Sequence, residues 1–211
     1  QEADIVTGAR NRAALPQLVR AFSLDRQRIV SIPQHQKGED FESCSAADFG
    51  VRTRAFLKIQ DGCDNWCSYC IIPAARGPVR SKPLPELQTE LLTLSQNGYR
   101  EIVLTGINLS NYGREWGLHL SDAVLAAAAT PGVERVRLGS IEPDLLTPGE
   151  IYRLAEGCGD KLCPQFHLSL QSGCDATLRR MNRHYDTAGY RAVAEAVRKA
   201  FPGAALTTDM M

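Results

Sequence analysis

No stretch of this chain approaches the ~18 consecutive apolar residues that a membrane span needs, and the N-terminus has no signal-peptide pattern. Neither sign of charge is in excess. Lys+Arg and Asp+Glu stand at 24 each, so no global basic field points to nucleic acid. A polyanion-binding surface has to be local, or lie in a part of the protein outside these 211 residues. There is no initiating Met, and the chain stops at Met210-Met211 straight after a strand-like run, so it reads as an internal piece of a longer protein. Histidine is scarce: His35, His119, His167 and His184 lie far apart, which excludes the His-x3-5-His arm of a common zinc site. The seven cysteines are an odd number crowded toward one loop, which argues against a secreted disulfide framework and for a reducing cytoplasm.

What is present is concentrated in residues 58–70, Lys-Ile-Gln-Asp-Gly-Cys-Asp-Asn-Trp-Cys-Ser-Tyr-Cys. Cys63, Cys67 and Cys70 follow a C-x3-C-x2-C spacing directly after a strand-like run over 55–60. Thiolates are soft ligands suited to zinc or to iron–sulfur clusters. A structural zinc site pairs two arms, and no second arm exists here. Three close thiolates suit a four-iron cluster whose fourth iron stays open to a substrate or cofactor. The spacing by itself leaves zinc open.

The surrounding words resemble one family. The cysteine spacing is the signature of the radical S-adenosylmethionine (SAM) enzymes. Asp61-Gly62-Cys63-Asp64-Asn65-Trp66-Cys67, Cys70-Ile71-Ile72-Pro73 and Arg76-Gly77 are similar to their methylthiotransferase branch. Residues 101–106, 140–143, 170–173 and 207–209 recur in that family's order. Residues 58–62 with 77–81 most resemble the enzymes that modify threonylcarbamoyl-adenosine beside the tRNA anticodon. The resemblance implies a transferase that replaces a C–H bond with C–S–CH3. The alternatives are an isopentenyl-adenosine tRNA or ribosomal-protein substrate, or a non-catalytic barrel stabilised by zinc. It also implies a [4Fe-4S] cluster on Cys63, Cys67 and Cys70, with a second cluster on upstream cysteines of the full-length protein. SAM bound to the open iron is split by one electron to give methionine and a 5′-deoxyadenosyl radical. tRNA and an electron donor of flavodoxin or ferredoxin type are the implied partners.

In chain order, residues 1–30 read as the C-terminal tail of a preceding α/β domain, with a helix from Leu15-Pro16. Residues 31–53 are polar and aperiodic, which reads as an interdomain linker, and Cys44 in it as a bystander. From 54 to 211 strand-like runs at 55–60, 101–105, 135–139, 165–170 and 204–209 alternate with helical stretches. Leu87, Leu91 and Leu94 share one helical face, and Thr147-Pro148-Gly149-Glu150 has the form of a capping box. Such βα repeats build a parallel sheet. Periodicity leaves a doubly wound sheet and a barrel equally open. The resemblance implies a partial (βα)6 barrel, here about five βα units and incomplete at the C-terminus.

In parallel barrels the chemistry sits where loops leave the strands. Each exit here is polar: the cysteine loop, Thr105-Gly106-Ile107-Asn108, Ser140-Ile141-Glu142, Gln171-Ser172 and Asp209. The plain alternative is that Ser, Gly and Asn simply end strands and cap helices. By resemblance, Tyr69 lies near the SAM adenine, unless it is only a packing aromatic. Thr105 and Gly106 lie along the methionine moiety. Glu142 and Gln171 face cofactor or adenosine, and Asp209 accepts from a ribose hydroxyl. Arg183 meets the SAM carboxylate, or else is an exposed helix-end arginine. Arg52, Arg54, Arg76, Arg80 and Lys82 flank the cysteines as a basic cluster that RNA phosphates would want, or as a solvated face. Among them Arg76 and Arg80 are the substrate candidates.

Overall fold

The computed structural model of the chain describes residues 3–36, 38–43, 50 and 53–211. Strand β1 (Ile5–Thr7), helix α1 (Leu15–Asp25) and strand β2 (Ile29–Ser31) form a small parallel βαβ unit, in which Ile5 pairs with Ile29. Leu15-Pro16 opens α1 as expected, with Pro in the first turn where its missing N–H costs nothing. Part of the segment that follows packs against the rest of the chain. Glu42 bonds Arg12 and the Ala13 N–H, Ser43 bonds Glu86, and the Phe41 ring lies 5.5 Å from both the Lys58 and Lys82 ammonium groups. Residues 39–43 are therefore docked on the core. The polar composition that suggested a linker is used in ion pairs. Cys44 and residues 45–49 lie outside the described residues.

The main sheet begins with β3 (Arg54–Lys58), which turns directly into β4 (Gln60–Asp61). A short helix, α2 (Ile72–Arg76), leads to β5 (Arg80–Ser81), and β4 and β5 pair antiparallel, Gln60 with Ser81 and Asp61 with Arg80. The sequence pattern gave no sign of this ribbon. A two-residue strand has no periodicity to detect, yet the ribbon clasps the base of the cysteine loop. Then come α3 (Leu84–Gln96), β6 (Glu101–Thr105), α4 (Leu120–Ala129), β7 (Arg135–Leu138) and β8 (Ser140–Ile141). The chain closes with α5 (Pro148–Cys158), β9 (Gln165–Leu168), α6 (Asp175–Arg180), α7 (Thr187–Ala200) and β10 (Ala205–Thr207).

Strand order decides the architecture. β6 pairs in parallel with β3 and β7, and β9 pairs in parallel with β8 and β10. β7 and β8 are one strand bent at Gly139, whose N–H still reaches Leu104 O at 3.0 Å. A bridge from Val136 to Leu162 and the bond from Cys163 N to Val136 O carry the sheet across the bend. The strands thus run in sequence order and all in one direction. A doubly wound sheet reverses its order at a switch point; this one does not. It is an arc of a parallel barrel with five βα units.

Helices α3, α4, α5 and α7 cover the outside. Leu87, Leu91 and Leu94 are buried as their spacing requires, as are Ile151, Leu154 and Cys158 of α5 and Val193, Ala196 and Val197 of α7. Alternate strand residues meet them, among them Leu57, Leu104, Val136 and Phe166, whose ring lies 5.0 Å from that of Phe201. The Thr147 capping box is half realised. Thr147 Oγ1 accepts from Glu150 N, but the Glu150 carboxylate bonds Ser121 instead of turning back to the cap.

At the start of α4 Asp122 does turn back, accepting from His119 N at 2.8 Å and pairing with Arg153 at 2.6 Å. Burial alone would raise this carboxyl, but the His119 N–H and Arg153 outweigh it and hold it below the usual carboxylate range. A depressed folded pKa gives stability that is present above the ordinary carboxylate value and lost as pH falls through the folded one. Asp122→Asn should cost ~1 kcal/mol at neutral pH. It should also flatten the acid limb of a plot of denaturation midpoint against pH. An unchanged acid limb would assign that limb to other carboxylates.

Candidate active site

The cysteine loop leaves β4 at Gly62, held at φ 74° with its N–H on Asp61 Oδ1 at 2.9 Å. A Cβ there would lie 1.9 Å from Pro78 O. Cys63 N bonds Gly77 O at 3.1 Å, which ties the loop to the end of α2. Its far side is held by the segment after α6. Ser68 N bonds Met181 O at 3.0 Å, and Asn182 Nδ2 bonds the Asn65 and Trp66 carbonyls at 3.1 and 3.0 Å. Both Trp66 and Asn182 have positive φ, 49° and 55°; such residues persist only where their surroundings over-determine them. Cys63, Cys67 and Cys70 are half-buried free thiols on this loop. Burial pushes the Cys63 thiol up, while the Asn65 N–H and the Asn108 side chain pull the other way.

Hydrogen bonds link all five strand exits into one rim. Gln60, leaving β3, accepts from Asn108 N at 2.7 Å, beyond the end of β6. Ser110 Oγ then bonds the Glu142 backbone N–H and carbonyl, both at 2.9 Å, and so joins the exits of β6 and β8. The Glu142 carboxylate pairs with Arg183 Nη2, and Arg183 Nε donates to Tyr185 Oη at 3.2 Å. Tyr185 in turn donates to the Ser169 and Leu170 carbonyls, where the chain leaves β9. Gln171, at φ 64°, gives its N–H to Asp209 O at 2.9 Å, beyond β10. The rim is continuous.

The expected residues fall on it in different ways. Tyr69 is half-exposed, its hydroxyl 3.5 Å from Arg183 Nη1. Thr105 ends β6, and Gly106 is exposed, with a Cβ there pressing on Gln60 at 3.0 Å. Asp209 is exposed and bonds His167 Nε2 at 3.2 Å. Arg183 is not the exposed helix-end arginine of the plainer reading. Its side chain is 4% exposed and Nη1 donates to Cys67 Sγ at 3.1 Å. Burial disfavours its charge, but Glu142 and Tyr185 outweigh that and hold the guanidinium protonated.

The basic cluster is corrected. Arg80 is 6% exposed and faces inward, 3.6 Å from Glu39 and 3.7 Å from Asp61, with bonds to the Pro78 and Arg76 carbonyls. Arg76 Nε lies 3.6 Å from Asp61, buried Lys82 pairs with Glu90, and Arg54 lies 3.4 Å from Glu101. Arg52 lies outside the described residues. Five basic residues near one another in sequence looked like a phosphate surface. Four of them instead meet carboxylates that are distant or buried, which a local charge count does not register. Residues missed by the sequence reading are Gln60, Tyr185 and Asn182, which hold the loop and rim together. Asn108, noted only as part of a polar exit, is 4% exposed beside Cys63, and its Oδ1 is buried with no partner among the described residues. A polar residue in the turn after a strand is too common to have marked it.

A family model described as the radical SAM superfamily matches residues 57–211. The chain belongs to the radical SAM superfamily. Two curated threonylcarbamoyladenosine tRNA methylthiotransferases MtaB are similar to this radical SAM chain, from Thermotoga maritima (35% identical over 209 residues) and Bacillus subtilis (36% over 210). Each match covers 99% of the chain, and 47% and 46% of those proteins. A tRNA-2-methylthio-N(6)-dimethylallyladenosine synthase of Clostridium tetani is 34% identical over 210 residues. The chain spans about half the length of the curated relatives it matches. Among solved structures, the cobalamin-dependent S-adenosylmethionine radical enzyme OxsB aligns with a TM-score of 0.58 at 12% identity, over 75% of this chain and 24% of that one. The radical S-adenosylmethionine methyltransferase TsrM from Kitasatospora setae also gives 0.58, at 15% identity over 74% of this chain and 30% of that one. At such identities the likeness is one of fold.

Radical SAM enzymes use a [4Fe-4S] cluster and SAM, and the donor set fits them. Three thiols stand on one loop, close enough that Cys67 bears on the Cys63 thiol and Cys67 and Cys70 both bear on Tyr69. Among the described residues no three His, Cys, Asp or Glu side chains converge tightly enough for a single metal ion. A four-iron body carries each thiolate on a different iron, so its ligands need not meet at one point. The unpartnered Asn108 oxygen beside Cys63 is the kind of buried acceptor that a bound group would satisfy.

Proposed function

We propose that the chain is the radical SAM core of a methylthiotransferase that modifies threonylcarbamoyl-adenosine beside the tRNA anticodon. The observation that carries the reading is the cysteine loop set at the head of a continuous polar rim, in a chain whose whole length aligns with two MtaB proteins. When bound, the cluster and SAM supply the radical that takes a hydrogen from the adenosine. The chain's own part is positioning and exclusion of competing reactions. Cys63, Cys67 and Cys70 hold the cluster. Half-exposed Tyr69 offers a face to the adenine, and Gly106 keeps the β6 exit clear for the methionine moiety. Glu142 and Gln171 border the reacting base, and Asp209 offers a carboxylate to a ribose. Arg76 remains the candidate for a phosphate contact; Arg80 does not.

The remaining parts of the reading rest on the family resemblance of the sequence. Residues 1–30 are the tail of a domain that carries the sulfur-donating cluster, residues 31–53 join it to the core from 54 onward, and the protein works in the cytoplasm with a flavodoxin- or ferredoxin-type electron donor. No described helix is long and apolar enough to cross a membrane. The similarity to dimethylallyladenosine synthases favours a second substrate, isopentenyl-adenosine tRNA. One measurement separates them: the nucleoside profile of tRNA from a strain lacking the full-length protein. The methylthio derivative of threonylcarbamoyl-adenosine should disappear while its unmodified precursor accumulates. Loss of the isopentenyl derivative alone would favour the second substrate, and an unchanged profile would overturn both.

A further inference from the structure

We propose that Arg183 sets the reduction potential of the cluster carried by Cys67, with Glu142 as its counterweight. This rests on the cysteine loop holding a four-iron cluster, as proposed above. Arg183 meets the cysteine loop across 116 residues of sequence, Nη1 lying 3.1 Å from Cys67 Sγ. Its guanidinium has five N–H donors. Those on Nη1 face Cys67 and Tyr69, one on Nη2 faces Glu142, and Nε–H faces Tyr185. A group so fully engaged and only 4% exposed is held in place and has little left to offer an arriving carboxylate. It is aimed at a ligand sulfur.

Hydrogen bonds to ligand sulfurs, net charge and solvent exposure set the potential of an iron–sulfur cluster. An added electron makes the cluster more negative. A buried cation bonded to one of its sulfurs favours that reduced state and raises the potential. Glu142, on the opposite arm of the same guanidinium, carries the compensating negative charge and lowers it. Arg183 is not needed to hold the loop, because the bonds from Ser68 N to Met181 O and from Asn182 to Asn65 and Trp66 are independent of its side chain. Asp144 and His184 also lie in the field of Glu142 and Arg183, but neither donates to a cysteine sulfur. The two variants below leave both in place. Arg183 is a positioning residue that acts through Cys67.

The test is potentiometric titration of the full-length, anaerobically reconstituted protein with the cysteines of the upstream cluster replaced by alanine, so that the loop cluster alone gives the electron paramagnetic resonance signal of the reduced state, without SAM. Failure of the wild-type protein to bind iron at this loop would overturn the cluster reading itself. With the cluster present, Arg183→Gln should shift the midpoint to more negative potential. A roughly tenfold fall in the reduced-to-oxidised ratio at fixed poise, about 59 mV for a one-electron couple, is the expected size. Glu142→Gln should shift it the opposite way. Full iron in Arg183→Gln with an unchanged midpoint would overturn the inference. If Arg183→Gln fails to retain its cluster, Glu142→Gln decides: a less negative midpoint supports the inference, and an unchanged or more negative one overturns it.

Discussion

Replacing any one of Cys63, Cys67 or Cys70 with alanine should abolish the four-iron cluster that the anaerobically reconstituted protein binds, about one per chain of this length. Three protein thiolates already leave one iron without a protein ligand. A two-thiolate site would leave two irons without a protein ligand, and Cys158, Cys163 and Cys174 lie outside the cysteine loop. Cys158 is buried in the core at the end of α5, where burial pushes its thiol up to about 11, so Cys158→Ala should keep its iron. Iron and sulfide content with the visible absorption band of each folded variant is the measurement. Full iron in any of the three loop variants would remove the assignment.

Gly62→Ala should be the most damaging single methyl group added to the site. A residue other than glycine at φ 74° is strained by ~1–3 kcal/mol. The new Cβ would also be driven to 1.9 Å from Pro78 O, a contact with backbone that no rotamer relieves. Something must move, and what moves is the β4–β5 ribbon at the base of the cysteine loop. A loss of ~3 kcal/mol or more is expected, read as a lower urea midpoint, together with loss of iron from the protein that remains folded. Gly173→Ala is the control, because nothing lies within 4 Å of its added Cβ and its cost should stay within ~0.5 kcal/mol. Equal midpoints for the two variants would mean that the ribbon yields freely and does not shape the loop.

The local features of this protein were legible in its residues alone. The apolar spacing of Leu87, Leu91 and Leu94 placed a helix on the sheet, because residues three and four apart share a face. The run at 101–105 became β6 with those bounds, and the cysteine spacing marked a loop that the structure ties to Gly77, Met181 and Arg183. Strand ends were less legible. The expected strand at 165–170 stops at Leu168, because Tyr185 takes up the Ser169 and Leu170 carbonyls from a distant segment.

The choice between the two parallel architectures needed the strand pairing itself, since periodicity records that strands and helices alternate but not which strands are neighbours. It turned Arg80 from a surface cation into a buried partner of Glu39 and Asp61. It also turned Arg183 from a helix-end residue into a donor to Cys67. Charge in a sequence has a sign but no direction. Its role is set by what the fold brings within a few ångströms, where a carboxylate or a thiol outweighs every neighbour along the chain.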